Sequence, residues 1–407
     1  MNELLAQLDT PEGRRNPYPL YHALRDSSPL HDERHQATLV LRYEDCARSL
    51  SGKEFSRPDA VWLRRRIPDW HDHPAVVCLM RTMQFGDHVS HPRLRGLVSR
   101  FFTQRRIAAH VEATAATVGV LVGELAAEIE ATGQADLQET LSYRLPSISI
   151  ARLIGLDEEE VARFRAQSLA LAVLLEPQLP GDHLAEADRG YLQLEAFFEE
   201  VVDNLRHAPD DSLASYLVQT QHDDPSMLSG DELKSMFTSL FVAGTMNTSS
   251  FIGNGVAALL DCPHVMARLR ADPGLVEGLT SEILRYDAPM QVTRRITAEE
   301  VELGGVVLPA GTELGVVLGS ANRDPAVYDD PDSFVLGRTG PPPLSFGGGP
   351  FFCIGAAMAR QEGELVFAEL LSRLPGLCGA GEPDHNLQSV LRGYLRLPVT
   401  TSRPALS

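Results

Sequence analysis

The sequence predicts a mainly α-helical chain with a small β-rich lobe, folded as one domain over residues 1–407. Apolar residues recur at three- and four-residue spacing through most of the chain beyond residue 90, the period of a helix with one buried face. Alternating β-branched residues are confined to two short stretches. No linker-like tract divides the 407 residues.

Taken in order, the N-terminal MNELLAQLDTPEGRRNPYP lacks a basic segment followed by an apolar one, so no secretion signal is expected and a cytoplasmic location is. Segment 37–42 reads as a strand. Helical periodicity covers 107–132, 158–175, 190–206 and 231–261. Within the last of these, 235–260 carries no Asp, Glu, Lys or Arg and is long enough to span a bilayer. Thr245, Asn247, Thr248, Ser249, Ser250 and Asn254 crowd its middle, where lipid would penalise them most, so a helix buried in protein and no membrane association are expected. Segment 292–318 is β-rich, with VELGGVVLPAG forming a hairpin around Gly304 and Gly305. From 322 to 343 the chain is a Pro-, Gly- and Asp-rich coil whose Tyr328 and Phe334 predict that it packs against the protein.

With 43% hydrophobic and 22% charged residues the chain has ample core, which excludes a disordered protein. Its 36 Lys and Arg against 55 Asp and Glu leave a net charge of −19, which repels phosphate backbones and excludes nucleic acid as an expected partner. Five cysteines without a close CxxC pair suggest neither a disulfide framework nor a thiolate zinc site, and leave room for a lone ligand.

That ligand candidate is Cys353, in FGGGPFFCIG immediately before the helical stretch AAMARQEGELVFAELLSRL. Backbone N–H groups at a helix N-terminus favour a thiolate. The glycines allow backbone to approach a flat object closely, and the flanking phenylalanines are expected to keep water from the sulfur. A buried structural cysteine is the competing reading. The segment resembles the haem-ligand loop of the cytochrome P450 family, Phe-Gly-x-Gly-x-x-x-Cys-x-Gly, with matches at Phe346, Gly347, Gly349, Cys353 and Gly355. The resemblance implies the family's helical prism, haem b as cofactor and Cys353 as the proximal thiolate to iron.

Other motifs follow the same order as in that family. Glu282 and Arg285 stand at i, i+3, matching its Glu-x-x-Arg, and Arg338 stands where it supplies a third, charge-sharing arginine; the implied role is structural. His91 and Arg95, at i, i+4, match residues that contact the haem propionates, as does Arg295. Alternation places Gln291, Thr293 and Arg295 on one side of a strand and Arg294 on the other. Phe351 departs from the family's usual His or Arg, removing one propionate donor. Ala243, Gly244, Asn247 and Thr248 resemble the oxygen-activation segment: Gly244 is expected to open space, and the Thr248 hydroxyl to bond a freed carbonyl and deform the helix. Asn247 replaces the family's acid, and an amide orients water but exchanges no proton.

The resemblance implies a monooxygenase that activates O2 and oxidises a bulky, largely hydrophobic, natural-product-like molecule. Electrons would come from a separate ferredoxin and ferredoxin reductase, with the chain acting as a monomer; Arg93, Arg100, Arg105, Arg106 and Arg360 read either as a dock for an acidic ferredoxin or, equally, as a solvated basic face. By family position the pocket comprises Trp62, Met83, Phe85, Leu240, Met290, Gln291, Thr293, Leu391 and Tyr394. The alternatives are an atypical oxidation (ring coupling, desaturation or nitration) and a non-enzymatic haem-thiolate sensor or recruitment protein.

Overall fold

Thirty-two residues without a proline make Gly230–Asp261 the longest helix of the structure, a computed structural model that describes residues 1–179 and 181–401. Leu240, Phe241, Met246, Phe251, Ile252, Val256 and Leu259 are buried along it, together with Thr245, Ser249 and Asn254, as its uncharged sequence predicts. Among the described residues no single helix is long and apolar enough to cross a membrane. The chain groups into two compact units, with their boundary on this helix between Met246 and Asn247. Residues 180 and 402–407 lie outside the described residues.

One unit comprises residues 1–55, 111–145 and the chain from 247 onward. Its core is built where helices Val111–Thr132, Val276–Tyr286 and Ala356–Arg373 bury Leu121, Val122, Leu125, Leu279, Ile283, Val366, Phe367 and Leu370 with the C-terminal half of the long helix. Two glycines permit this packing. A Cβ on Gly255 would lie 2.5 Å from Phe367 Cζ, and one on Gly363 would lie 2.4 Å from Phe251 Cε1. Beside this core a five-stranded sheet runs in the order Leu30–Asp32, Ala37–Val40, Glu313–Val317, Val292–Thr297, Phe55–Ser56. The expected hairpin is Val301–Leu303 with Val306–Leu308, turned by Gly304 and Gly305 at φ +55° and +81°, a left-handed pair that glycine adopts without steric cost. The coil after Asn322 is packed down as predicted, with Tyr328 and Phe334 buried and the Tyr328 hydroxyl donating to Pro341 O at 3.1 Å.

The second unit comprises residues 56–110 and 146–246. Helix Gly181–His207 packs against Pro74–Met80, Arg165–Ala172 and Leu213–Asp223. A run of rings, Phe164, Phe197, Phe198 and Phe237, links the start of Arg165–Ala172 through Gly181–His207 to the N-terminal half of the long helix at centroid spacings of 4.9, 5.2 and 5.5 Å.

Two expected helices are broken. Segment 107–132 divides at His110 into Gln104–Ala109 and Val111–Thr132, and 158–175 divides into Glu158–Ala162, Arg165–Ala172 and a 3₁₀ turn, Val173–Leu175. The apolar period runs through the first break in phase, from Ile107 to Thr114 and Val118, so pattern alone could not mark it.

The close approach at Gly363 yields a stability test. Gly363→Ala is expected to destabilise the protein by about 1–3 kcal/mol through overpacking against Phe251. Gly119→Ala, whose new Cβ would meet nothing within 4 Å, should be neutral or slightly stabilising. Thermal denaturation midpoints of the two variants check this.

Candidate active site

The cysteine loop takes its shape from its glycines. Gly347 and Gly349 hold φ +72° and +61°, and a Cβ on Gly349 would lie 2.7 Å from Ser51 Cα and 2.9 Å from Leu50 O. The Cys353 N–H donates to Phe346 O at 2.9 Å, which closes the loop two residues before the Gly355 N-cap of helix Ala356–Arg373. Cys353 is exposed, and Phe352 beside it is 45% exposed. The expected aromatic shield is therefore not made by the chain itself. Phe352 stacks edge-on against Phe346, with centroids 6.2 Å apart, and Phe351 lies under the Arg295 guanidinium at 5.4 Å. The other cysteines differ in kind. Burial pushes the Cys78 thiol up to about 11 and the Cys46 thiol well above its ordinary value, and burial followed by Asp261 raises Cys262. Such thiols stay protonated, whereas a soft metal ligand must be a thiolate.

Under this loop, Glu282 and Arg285 are 3% and 2% exposed. Arg285 Nε and Nη2 donate to Glu282 Oε2 and Oε1, both at 2.8 Å, in a bidentate pair. Arg338 Nε donates to Glu282 Oε1 at 3.2 Å, and the Val335 N–H to the same oxygen at 2.8 Å. The remaining guanidinium N–H groups satisfy coil carbonyls: Arg285 reaches Asn322, Pro331 and Ser333, and Arg338 reaches Asp329, Asp330 and Ser333. The structure thus brings all three predicted residues together, and the coil's backbone depends on them for its hydrogen bonds.

On the long helix Ala243 is exposed, Asn247 half-buried and Thr248 buried, the first two sharing a face at i, i+4. Gly244 does not open space as expected: a Cβ there would lie 2.9 Å from Ile150 Cγ1, so the glycine admits a neighbouring side chain. Nor does Thr248 deform the helix. The helix is unbroken, the back-bond is made by Thr245 to Phe241 O at 2.8 Å, and the Thr248 hydroxyl has no hydrogen-bond partner among the described residues.

The remaining candidates divide between the two units. His91 is buried on helix Ser90–Ser99, where its Nδ1 donates to Met83 O at 2.6 Å; a carbonyl only accepts, which fixes the proton on Nδ1. Arg95 is half-buried one turn on and has no ion-pair partner among the described residues. Met83 and Leu240 are buried, and Phe85 and Trp62 half-buried, with Arg66 over the Trp62 ring at 5.0 Å. In the other unit the strand Val292–Thr297 separates Arg294, paired with Glu313 at 3.3 Å, from Arg295, which is buried over Phe351. Thr293 and Tyr394 are half-buried, and Met290 forms an isolated β-bridge with the buried Leu391. Gln291 is buried just before the strand, and its amide Nε2 donates to Tyr18 Oη and Ala288 O at 3.2 and 2.7 Å. Asp287, Arg392 and Tyr18, which motif reading missed, meet beside it in a buried cluster; only their long sequence separation hid them.

The expected docking arginines are unequal. Arg93 is neutralised by Glu232 at 2.5 Å, Arg100 lies over the Tyr216 ring at 3.2 Å, and Arg360 donates to Ser281 Oγ at 2.8 Å with burial pulling its pKa down. Arg100, Arg105 and Arg106 are exposed.

The sequence pattern of the family described as cytochrome P450 matches residues 193–389. The chain is 34% identical over 396 residues to the cytochrome P450 monooxygenase PikC of Streptomyces venezuelae, covering 95% of this chain and 92% of that protein. It is 34% identical over 393 residues to the 6-deoxyerythronolide B hydroxylase of Saccharopolyspora erythraea, covering 94% and 95%. Among solved structures, ligand-free CYP164A2 of Mycobacterium smegmatis superposes with a TM-score of 0.89 at 28% identity, covering 98% of this chain and all of that one.

The Glu282 geometry yields a second test. Glu282→Ala leaves two nearly buried guanidinium groups without their carboxylate, and is expected to lower stability by about 3–5 kcal/mol. Soluble yield and the unfolding midpoint report it, and a stable Glu282→Ala protein would contradict the network's weight.

Proposed function

The chain belongs to the cytochrome P450 family and is a monooxygenase of its bacterial type, and on that premise we propose that it inserts one oxygen atom into a bulky, largely hydrophobic, natural-product-like substrate with electrons from a separate ferredoxin and its reductase. The observation that carries the reading is Cys353, an exposed cysteine on a glycine-shaped loop ahead of a helix, in a chain whose Cys46, Cys78 and Cys262 are biased toward the thiol form.

Proteins of this family bind haem b. Within one unit the residues present fit that group: a thiolate-capable sulfur at Cys353 and a buried guanidinium at Arg295 beside the same loop are donors that an iron macrocycle with carboxylates requires. When bound, haem would supply the activation of O2: two electrons from the redox partner and two protons accompany insertion of one oxygen atom into a substrate C–H bond and release of the other as water. Cys353 would ligate the metal as a thiolate, Arg295 would pair with a carboxylate, and by family resemblance Arg95 and His91 would do the same. Thr248 Oγ1, with no hydrogen-bond partner among the described residues, would hold and pass a proton. Asn247 can only orient the water that delivers it. Met290 and Leu391, joined by their isolated bridge, would supply apolar walls, which suits a hydrophobic substrate. Exposed Arg100, Arg105 and Arg106 support an acidic redox partner, while Arg93, spent on Glu232, contributes little.

A second reading within the same family is an atypical oxidation such as ring coupling, desaturation or nitration. It is favoured by the amide at Asn247, where an acid would relay protons. Product mass discriminates, since coupling and desaturation add no oxygen.

Two outcomes are expected. The reduced, carbon monoxide-treated protein should show the strongly red-shifted Soret band of a thiolate complex, lost in Cys353→Ala but retained after the same change at Cys46, Cys78, Cys262 or Cys378. Thr248→Ala should divert reducing equivalents to hydrogen peroxide, while Asn247→Asp should preserve or speed product formation. The measurement is product formed per reduced nicotinamide consumed. Equal coupling in Thr248→Ala and the parent would remove the threonine from the proton path.

A further inference from the structure

Asp287 follows helix Val276–Tyr286 directly, and its buried carboxylate is the centre of a hydrogen-bonded cluster. Oδ1 accepts from Tyr18 Oη at 2.6 Å and from Arg392 Nε at 2.5 Å. Arg392, with its side chain 11% exposed, also donates through Nη1 to the carbonyls of Arg14 and Arg15 at 3.1 and 2.6 Å. The Tyr18 ring is held from one side by Arg323, whose Cζ lies 3.6 Å from its centroid. From the long helix, Asn254 Nδ2 donates to Asp287 O at 3.1 Å and Arg392 O at 3.3 Å, bridging the two residues through their backbones. Three chain segments far apart in sequence, and the helix that carries Thr248, therefore converge on one buried ion pair.

This cluster flanks the bridge between Met290 and Leu391. That bridge is isolated: the Gln291 N–H donates to Val390 O and the Arg392 N–H to Pro289 O, both at 2.8 Å, with no longer ladder to fix the spacing. The ends of the two segments are instead fixed by side chains, Arg392 to Asp287 on one and Gln291 to Tyr18 on the other. We infer that Tyr18, Asp287, Asn254 and Arg392 are positioning residues that set the placement of Met290 and Leu391 and thereby the shape selectivity of the substrate pocket. None of the four need touch substrate. The inference rests on the proposed reading of Met290 and Leu391 as pocket walls. A charge-assisted bond inside the protein is strong and directional, so losing one shifts what it holds even when the fold survives.

The experiment uses the haem-loaded full chain and two probes, imidazole and 4-phenylimidazole, titrated optically. Both ligate iron through the same ring nitrogen, but only the second needs room for a phenyl group. The ratio of their dissociation constants therefore reads the pocket, and imidazole alone reads the iron site. Tyr18→Phe, which removes one hydroxyl, is expected to change the ratio by about three- to tenfold with the imidazole constant unmoved, and Asn254→Ala should do likewise. Arg392→Gln should change it more, though that variant can fail to fold, and Tyr18→Phe decides the matter without it. Met290→Ala and Leu391→Ala serve as the direct wall variants. If these move the ratio while Tyr18→Phe and Asn254→Ala merely lower the unfolding midpoint, the cluster is structural only and the inference is overturned, with the pocket reading intact. If Met290→Ala and Leu391→Ala leave the ratio unchanged, the pocket reading itself fails and takes the inference with it.

Discussion

The carboxylate of Glu282 is the constraint on which the cysteine-bearing half of the structure depends. Two guanidinium groups and a backbone N–H converge on it in a nearly dry site, and those guanidinium groups hold the carbonyls of a coil that has no regular ladder of its own. Burying such charges is unfavourable unless every donor and acceptor is used, and here the spare donors of Arg285 and Arg338 are used on Asn322, Pro331, Ser333, Asp329 and Asp330. The arrangement turns an irregular segment into a fixed support. The cysteine loop follows that coil directly in sequence, so its position inherits the rigidity of the ion pair.

Glycine supplies the second constraint, by subtraction of volume. Gly349 lets the loop pass against Ser51, Gly244 admits Ile150, and Gly255 and Gly363 let the Phe367 and Phe251 rings reach helix backbone. Each would clash at under 3.0 Å if it carried a Cβ. Close packing against the long helix is what allows its polar residues to be used individually: Thr245 bonds its own helix, Ser249 donates to Gln138 Oε1 at 3.4 Å, and Asn254 bridges Asp287 and Arg392.

Features encoded in contiguous residues were legible in the sequence. The glycine-cysteine loop and the Gly304-Gly305 hairpin each carry their backbone geometry in their composition, and the buried character of 235–260 follows from polar residues that lipid would not accept. Features set by distant partners were not legible. The break at His110 interrupts no apolar pattern, Gln291 is drawn inward by Tyr18 from 273 positions away, and the phenylalanines expected to shield Cys353 are engaged by each other and by Arg295. Glu282 and Arg285 sit at the boundary between the two cases. Their spacing was readable, but the carbonyls they satisfy belong to a coil that sequence pattern describes only as irregular.

The polar side chains of the long helix also explain why the departure at Asn247 need not abolish acid–base chemistry. A relay requires a group that exchanges protons, and an amide at neutral pH does not. Thr245, Ser249 and Asn254 are committed to fixed partners and cannot turn to serve a reacting atom without breaking those bonds. The Thr248 hydroxyl is uncommitted among the described residues, and a hydroxyl both donates and accepts, so one side chain can pass a proton onward in a single rotation. With Asn247 rather than a carboxylic acid before it, Thr248 in the proposed relay would draw its proton from water or the substrate. On the proposed reading, protonation would then be sensitive to what occupies the pocket, which would link the chemistry of the helix to the placement of the walls.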